Sequence, residues 1–151
     1  MERTLLASLL LLLAGCATPT KETDAKALFE QSVKLHQDHQ YAEAAVGYER
    51  LLKLYPDQPH WCAQALRSLG NVRAAQGNLD AAVKLYRQVG EKYPQQDWEV
   101  LQAWKSAGDL LWDARRKDEA RQFYRQIVER FDKPDAPAVY RTIVNAAAKK
   151  L

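Results

Sequence analysis

Three histidines, two cysteines and 19 carboxylates are the side chains with which this 151-residue chain could do chemistry, and their spacing limits what that chemistry is. His36 and His39 stand three apart, so on a helix their imidazoles would share one face, and His60 could join them as a metal ligand. No fourth ligand accompanies them, and histidines on a solvated helix end are the plainer reading. No Cys-x2-Cys pair, glycine-rich phosphate loop or His-Glu-x-x-His stretch is present, which removes the usual zinc, nucleotide and metalloprotease motifs. Asp80, Asp118 and Glu119 fall where helices would begin, and there they suit the helix dipole rather than acid-base work. The expectation is a chain with no catalytic residue, no metal and no cofactor. Cys62 is expected to be at least partly buried, acting as a small hydrophobe.

Arg67, Asn71 and Lys105 carry the other legible chemistry. Two cations with an amide beside them could hold a carboxylate that neither cation holds alone. Whether they meet depends on the elements that carry them, and those elements follow from a repeat. Ser32, Gly70 and Gly108 are evenly spaced along the chain, and Ala44, Ala82 and Ala120, like Tyr48, Tyr86 and Tyr124, keep the same interval. A fixed period of this size means stacked helical hairpins.

The second repeat reads Leu66-x2-Leu69-Gly70, then Gly77-Asn78-Leu79-Asp80, then Ala82-x3-Tyr86, and closes on Tyr93-Pro94. The third has Trp104-x2-Ala107-Gly108 and Ala120-x3-Tyr124, with Asp132 at the proline place and Pro134 just after. The first has Gln31-Ser32 in place of Leu-Gly, but keeps Ala44-x3-Tyr48 and Tyr55-Pro56. Over residues 25 to 134 this pattern resembles the tetratricopeptide repeat (TPR) family. The resemblance implies an all-α fold: a TPR-like α-solenoid of three helix-turn-helix repeats, at 25–62, 63–100 and 101–138, with a C-terminal capping helix at 139–151. The period is four longer than the family's usual repeat of about 34 residues. The extra four are expected after the proline, in Pro56-Asp57-Gln58-Pro59 and Pro94-Gln95-Gln96-Asp97. Longer repeats of this style resemble those of bacterial envelope proteins, such as the lipoprotein subunit of the outer-membrane β-barrel assembly machine and the Tol-Pal coordinator.

In that family the first helix of each pair lines a concave groove. The resemblance therefore places Phe29, Val33, Arg67, Asn71, Lys105, Asp109 and Trp112 on the groove wall as a candidate peptide-binding site. Arg67, Asn71 and Lys105 resemble part of the carboxylate clamp with which some members hold a peptide terminus. After the third repeat, Asp135-Ala136-Pro137 reads as a helix start. Tyr140, Val144, Ala147 and Leu151 then form an apolar stripe, with Arg141, Asn145, Lys149 and Lys150 polar.

The amino terminus says where such a groove would work. Arg3 precedes an apolar run, Leu5 to Leu13, too short for the roughly 20 residues of a membrane span, so it reads as a cleaved export signal. Leu13-Ala14-Gly15-Cys16 closing that run resembles the lipobox of bacterial lipoproteins. The resemblance implies a signal peptide at 1–15, lipidation of Cys16 and a flexible tether over 16–24. Ala17, in place of aspartate after the cysteine, favours the outer membrane, on its periplasmic face. The formal net charge is +3, with no run of like charges to suggest nucleic-acid binding. The functional expectation is a membrane-anchored adaptor or assembly factor that binds an envelope protein or peptide segment in the groove. The alternative is a regulatory lipoprotein that docks a peptidoglycan enzyme.

Overall fold

One turn geometry closes all three hairpins. In the computed structural model, which describes residues 20–151, α1 (Lys21–Gln37) turns into α2 (Tyr41–Leu54), α3 (Pro59–Ala75) into α4 (Leu79–Lys92), and α5 (Asp97–Asp113) into α6 (Lys117–Phe131); α7 (Ala138–Ala148) follows. His39, Gly77 and Arg115, each one period from the next, all have positive φ, at 60°, 76° and 64°. Just beyond each, the N–H of Gln40, Asn78 and Arg116 reaches back into the preceding helix, to the carbonyls of Leu35, Arg73 and Leu111. This is the Schellman stop, in which a left-handed residue satisfies the last carbonyls of a helix. Only the middle repeat fills that position with glycine, which adopts it without a Cβ clash. Asn78 then caps α4, its side chain accepting from the Ala81 N–H at 3.2 Å.

Inside each hairpin the two helices approach closely. A Cβ built on Gly70 would lie 2.6 Å from Cε1 of Tyr86, and one on Gly108 would lie 2.6 Å from Cε1 of Tyr124. The tyrosine rings occupy the space a methyl group would need, and both are buried. The first hairpin solves the problem differently. Ser32 takes the glycine place, fully buried, with Oγ donating to the Leu28 carbonyl at 2.7 Å. Space for that hydroxyl comes from across the hairpin at Gly47, where a Cβ would collide with it. Gln31-Ser32 is thus a working variant of the pattern, and the first helix forms as expected.

The helices form two layers. α1 packs on α3, α3 on α5 and α5 on α7, whereas among the described residues the backbones of α2 and α4, and of α4 and α6, do not come close; α4 and α6 meet only through long side chains, as where the Arg87 guanidinium lies 5.5 Å from the Phe123 ring centroid. The first helices of the pairs therefore make the inner, concave layer, with each second helix wedged between two of them. The buried core forms two clusters, one around Ala44, Tyr48 and Leu51 and a larger one reaching Leu111, Ile127 and Val144, with the partly buried Leu52, Leu85 and Tyr93 packed against both. Each large apolar side chain among these contributes roughly 1.5–3 kcal/mol relative to exposure.

Three expectations need correction. The first helices begin at Lys21, Pro59 and Asp97, each a helical turn before the repeat boundary expected at 25, 63 and 101. Of the extra residues expected after the proline, 56–58 and 94–96 do lie in the connectors, while Pro59 and Asp97 open the next helices. Residues 21–24 are correspondingly helix and not tether: Thr20 caps α1 by accepting from the Thr23 N–H, and Glu22 and Asp24 stand in the first turn. The expected signal peptide, Cys16 and the rest of the tether lie outside the described residues.

The third correction concerns the cap, whose buried stripe is Ile143, Val144 and Ala147, while Leu151 lies beyond the helix and is exposed. α7 occupies the inner-layer place of a fourth repeat. Its Val139, Asn145, Ala146 and Lys149 correspond to Leu101, Ala107, Gly108 and Leu111 of α5; the α5 set is buried and the α7 set exposed. That face is mostly small and polar, which suits its exposure to water.

The turn geometry generates a prediction. Arg115→Gly relieves the left-handed strain at the third turn without removing any side-chain hydrogen bond, and should stabilise the fold by roughly 1 kcal/mol. Chemical denaturation checks this, and a midpoint unchanged or lowered by the substitution would contradict it.

Candidate functional site

The concave face is built in tiers, because residues one period apart on successive inner helices stand side by side. Phe29, Arg67 and Lys105 form one tier; Val33, Asn71 and Asp109 the next; His36, Ala74, Trp112 and Lys150 the third. All seven of the expected groove residues lie on the inner helices α1, α3 and α5, and the structure adds Lys150 to them.

In the first tier Phe29 and Arg67 each reach toward the first turn of the next inner helix. Phe29 packs on Trp61, with ring centroids 5.6 Å apart, and on Tyr48 at 5.8 Å. Arg67 occupies the equivalent place, and its Nε donates to Glu99 Oε2 at 2.6 Å, with the Glu99 side chain only 7% exposed. Trp61 and Glu99 are one period apart, so an aromatic contact at one junction is replaced by a buried ion pair at the next. At the third junction the equivalent place holds Pro137, and Lys105 turns along its own helix to Asp109 Oδ2 at 2.7 Å.

The second tier meets the tyrosines of the outer helices. The Tyr86 hydroxyl donates to Asn71 Oδ1 at 2.7 Å, and the Tyr124 hydroxyl to Asp109 Oδ1 at 2.9 Å. Asp109 Oδ1 also accepts from Lys150 Nζ at 3.0 Å. Val33 offers no acceptor, and the Tyr48 hydroxyl is buried without a partner; Ser68 beside it does not reach hydrogen-bond geometry. Burial pushes the Tyr86 phenol up to about 12 and raises Tyr48 and Tyr124 as well, so all three stay neutral at physiological pH. Burial also opposes ionisation of Asp109, but the bonds from Lys105, Lys150 and Tyr124 outweigh it and hold the carboxyl below its ordinary value.

In the third tier, cations crowd Trp112. Lys117 Nζ lies 5.0 Å and Lys150 Nζ 5.3 Å from its ring centroid, with the Arg121 guanidinium at 5.9 Å. Between α5, α6 and α7, beneath Lys150, is a small cavity of about 190 Å3, lined by Lys105, Asp109, Tyr124, Ile127 and Ile143 among others. The concave face therefore grades from aromatic and apolar in the first repeat to charged and internally bonded in the third.

Arg67 and Lys105 do sit on neighbouring inner helices, as the clamp resemblance implies, but each is already engaged. An incoming carboxylate would have to displace Glu99 or Asp109. Glu99 and Lys150 were not legible as groove residues. The first looks like any first-turn carboxylate, and the second like any solvated C-terminal lysine. The period is the one signal that reaches both, since Glu99 aligns with Trp61 and Lys150 with Trp112. The histidines do not converge. His36 and His39 pack on Tyr41 at the first turn, while His60 stands at the start of α3 beside Trp61 and Gln64. Burial first, and His39 second, lower the His36 pKa. No cluster of three metal-capable side chains occurs among the described residues. Cys62 is fully buried, its thiol donating to the Tyr55 carbonyl at 3.1 Å and raised in pKa by burial.

A two-layer helical repeat with an open inner face and no converging catalytic groups among the described residues defines an interaction scaffold. The family model described as a tetratricopeptide repeat matches residues 37–97 and 99–148, and the chain belongs to that family. Among solved structures, the Sgt2 TPR domain from Aspergillus fumigatus superposes with a TM-score of 0.61 at 16% identity, covering 88% of this chain and 81% of that one. A search of the curated proteins finds no match.

The tiers make two expectations measurable. Arg67→Ala leaves the Glu99 carboxylate buried and alone and should cost about 3 kcal/mol, whereas the double replacement Arg67→Met/Glu99→Leu should recover most of the loss. Equal losses in the single and double variants would show that the ion pair is not what α3 and α5 share. Tyr86→Phe should cost about 1 kcal/mol through its hydrogen bond, while Tyr48→Phe, which loses no bond, should be neutral or stabilising. Denaturation midpoints of the two variants distinguish them.

Proposed function

We propose that this TPR scaffold is a lipid-anchored adaptor or assembly factor of a bacterial envelope, attached through Cys16 to the periplasmic face of the outer membrane and holding an envelope protein or peptide segment on its concave face. The observation that carries the reading is Leu13-Ala14-Gly15-Cys16, which closes an apolar export signal just ahead of a protein-interaction solenoid. Thr20, where the described structure starts, follows Cys16 by only four positions. Even fully extended, that stretch spans at most about 14 Å, so the scaffold would work against the membrane surface. Stable anchoring takes more than one acyl chain, and lipobox cysteines carry several.

On the concave face the first repeat offers the most open apolar wall, with Phe29 and Val33 half-buried and not tied into ion pairs. A partner seated there gains apolar contact without breaking the Arg67–Glu99 or Lys105–Asp109 pairs. Toward the third repeat it meets Trp112 and its surrounding cations.

Metabolic labelling with a palmitate analogue tests the anchor: the wild type should be labelled and Cys16→Ser should not. Equal labelling of both would overturn the reading.

A further inference from the structure

The two edges of the solenoid differ. One carries the tight turns at His39, Gly77 and Arg115. The other gathers the amino ends of the inner helices with the connectors 55–58, 93–96 and 132–137, as four contacts establish. Lys21 Nζ pairs with Asp57 Oδ2 at 3.1 Å, Arg130 bonds the Pro94 carbonyl and, at 2.7 Å, Asp97 Oδ1, and Trp98 stacks on Tyr140 with centroids 5.7 Å apart. Thr20, through which the chain continues toward Cys16, caps α1 on this same edge.

Five large apolar side chains are exposed among the described residues, and three of them stand in terminal turns here: Leu54 at 47%, Trp98 at 40% and Val139 at 51%. The stacked Trp98 and Tyr140 present an aromatic pair at the rim. Asp57 and Asp97 are neutralised by Lys21 and Arg130, while Lys53, Lys92 and Lys133 make no ion pair among the described residues. Glu91, Asp132 and Asp135 keep the edge near charge balance, so its character is apolar and aromatic more than basic.

We propose that this connector edge is a membrane-apposed surface, seated on the headgroup layer of the bilayer that holds the anchor, with Leu54, Trp98 and Val139 in the interface. The inference rests on lipidation at Cys16. The occupant is set by where the chain leaves the structure: an acyl group so close in sequence to Thr20 brings this edge, and not the turn edge, to the lipid. Trp and Tyr favour the headgroup region because one part of the ring system is apolar and the other wet. Exposed apolar side chains in the same plane gain from shallow insertion, and the three free lysines can extend their stems to lipid phosphates. The inner helices are 17 residues long, so the turn edge, with Trp112 and its cations, would stand about 25 Å further from the surface. That orientation leaves the concave face open from the side.

The test uses the full chain exported and processed in cells, purified with its lipid and reconstituted into phosphatidylethanolamine–phosphatidylglycerol vesicles carrying a headgroup-depth nitroxide lipid. Tryptophan emission should shift to shorter wavelength on reconstitution and be quenched by the nitroxide. Both effects should persist in Trp61→Phe/Trp104→Phe/Trp112→Phe, which keeps Trp98 alone, and be lost in Trp61→Phe/Trp104→Phe/Trp98→Phe, which keeps Trp112 alone, with circular dichroism showing each variant folded. A lipid-labelled protein whose Trp98 emission ignores the nitroxide overturns the membrane-apposed edge and leaves the anchor standing; a partner protein covering the edge would give that result. Absence of acyl label on the wild type overturns the anchor, and this orientation with it.

Discussion

Everything in this solenoid depends on how closely the two helices of each hairpin approach one another. The second helix contributes a tyrosine whose ring lies where a Cβ on the first helix would be, so the facing residue must be small. Gly70 and Gly108 satisfy this directly, at a cost in helix propensity of roughly 1 kcal/mol each. The Ser32 and Gly47 pair satisfies it by moving the smallest residue across the hairpin. Once the rings are seated, the rest of the geometry is constrained. The Tyr86 and Tyr124 hydroxyls emerge beside Asn71 and Asp109 of the inner helices, and those residues face the groove. The same close approach that packs the core therefore decides which polar groups the concave face has left to offer.

The consequence is a groove whose chemistry is mostly spoken for. Asn71 and Asp109 serve the tyrosines, Arg67 serves Glu99, and Lys105 and Lys150 serve Asp109. Most of these bonds also join the inner helices to one another or to their outer partners, so they set the spacing of the wall that a ligand would meet. Only the first repeat, where Val33 replaces the acceptor and Phe29 replaces the cation, presents a surface without such commitments. A partner that favours apolar contact meets less internal competition there than a carboxylate would meet at Arg67 or Lys105.

The two ends of the stack are handled differently. α7 continues the inner layer for one more helix, with its outward face made mostly small and polar, and Lys150 just beyond it closes the last tier over Asp109 and Trp112. At the other end the chain departs from Thr20 toward the cysteine-bearing segment, on the edge where Leu54, Trp98 and Val139 are exposed. The polarity of the wall and the polarity of the edges are thus separate features, one set by the repeat and the other by the helix ends and connectors.

Much of this was legible in the residues. The even recurrence of small residue, alanine and tyrosine determined three hairpins and a cap, because a period fixes which helices stack and a glycine facing an aromatic fixes how closely. It also placed all seven groove candidates on the inner helices. The tertiary structure decided what those residues are doing. Whether Arg67 is a free cation depends on Glu99, a helix pair away and indistinguishable in sequence from a dipole-compensating carboxylate; whether Lys150 is solvated depends on Asp109 and Tyr124 in two other helices. The helix starts at Pro59 and Asp97 were likewise hidden, since these residues suit a connector and a first helical turn equally well. Local pattern specifies where a side chain lies along its own helix, but its partner is set by the packing of helices far apart in the chain, and only the assembled stack brings those together.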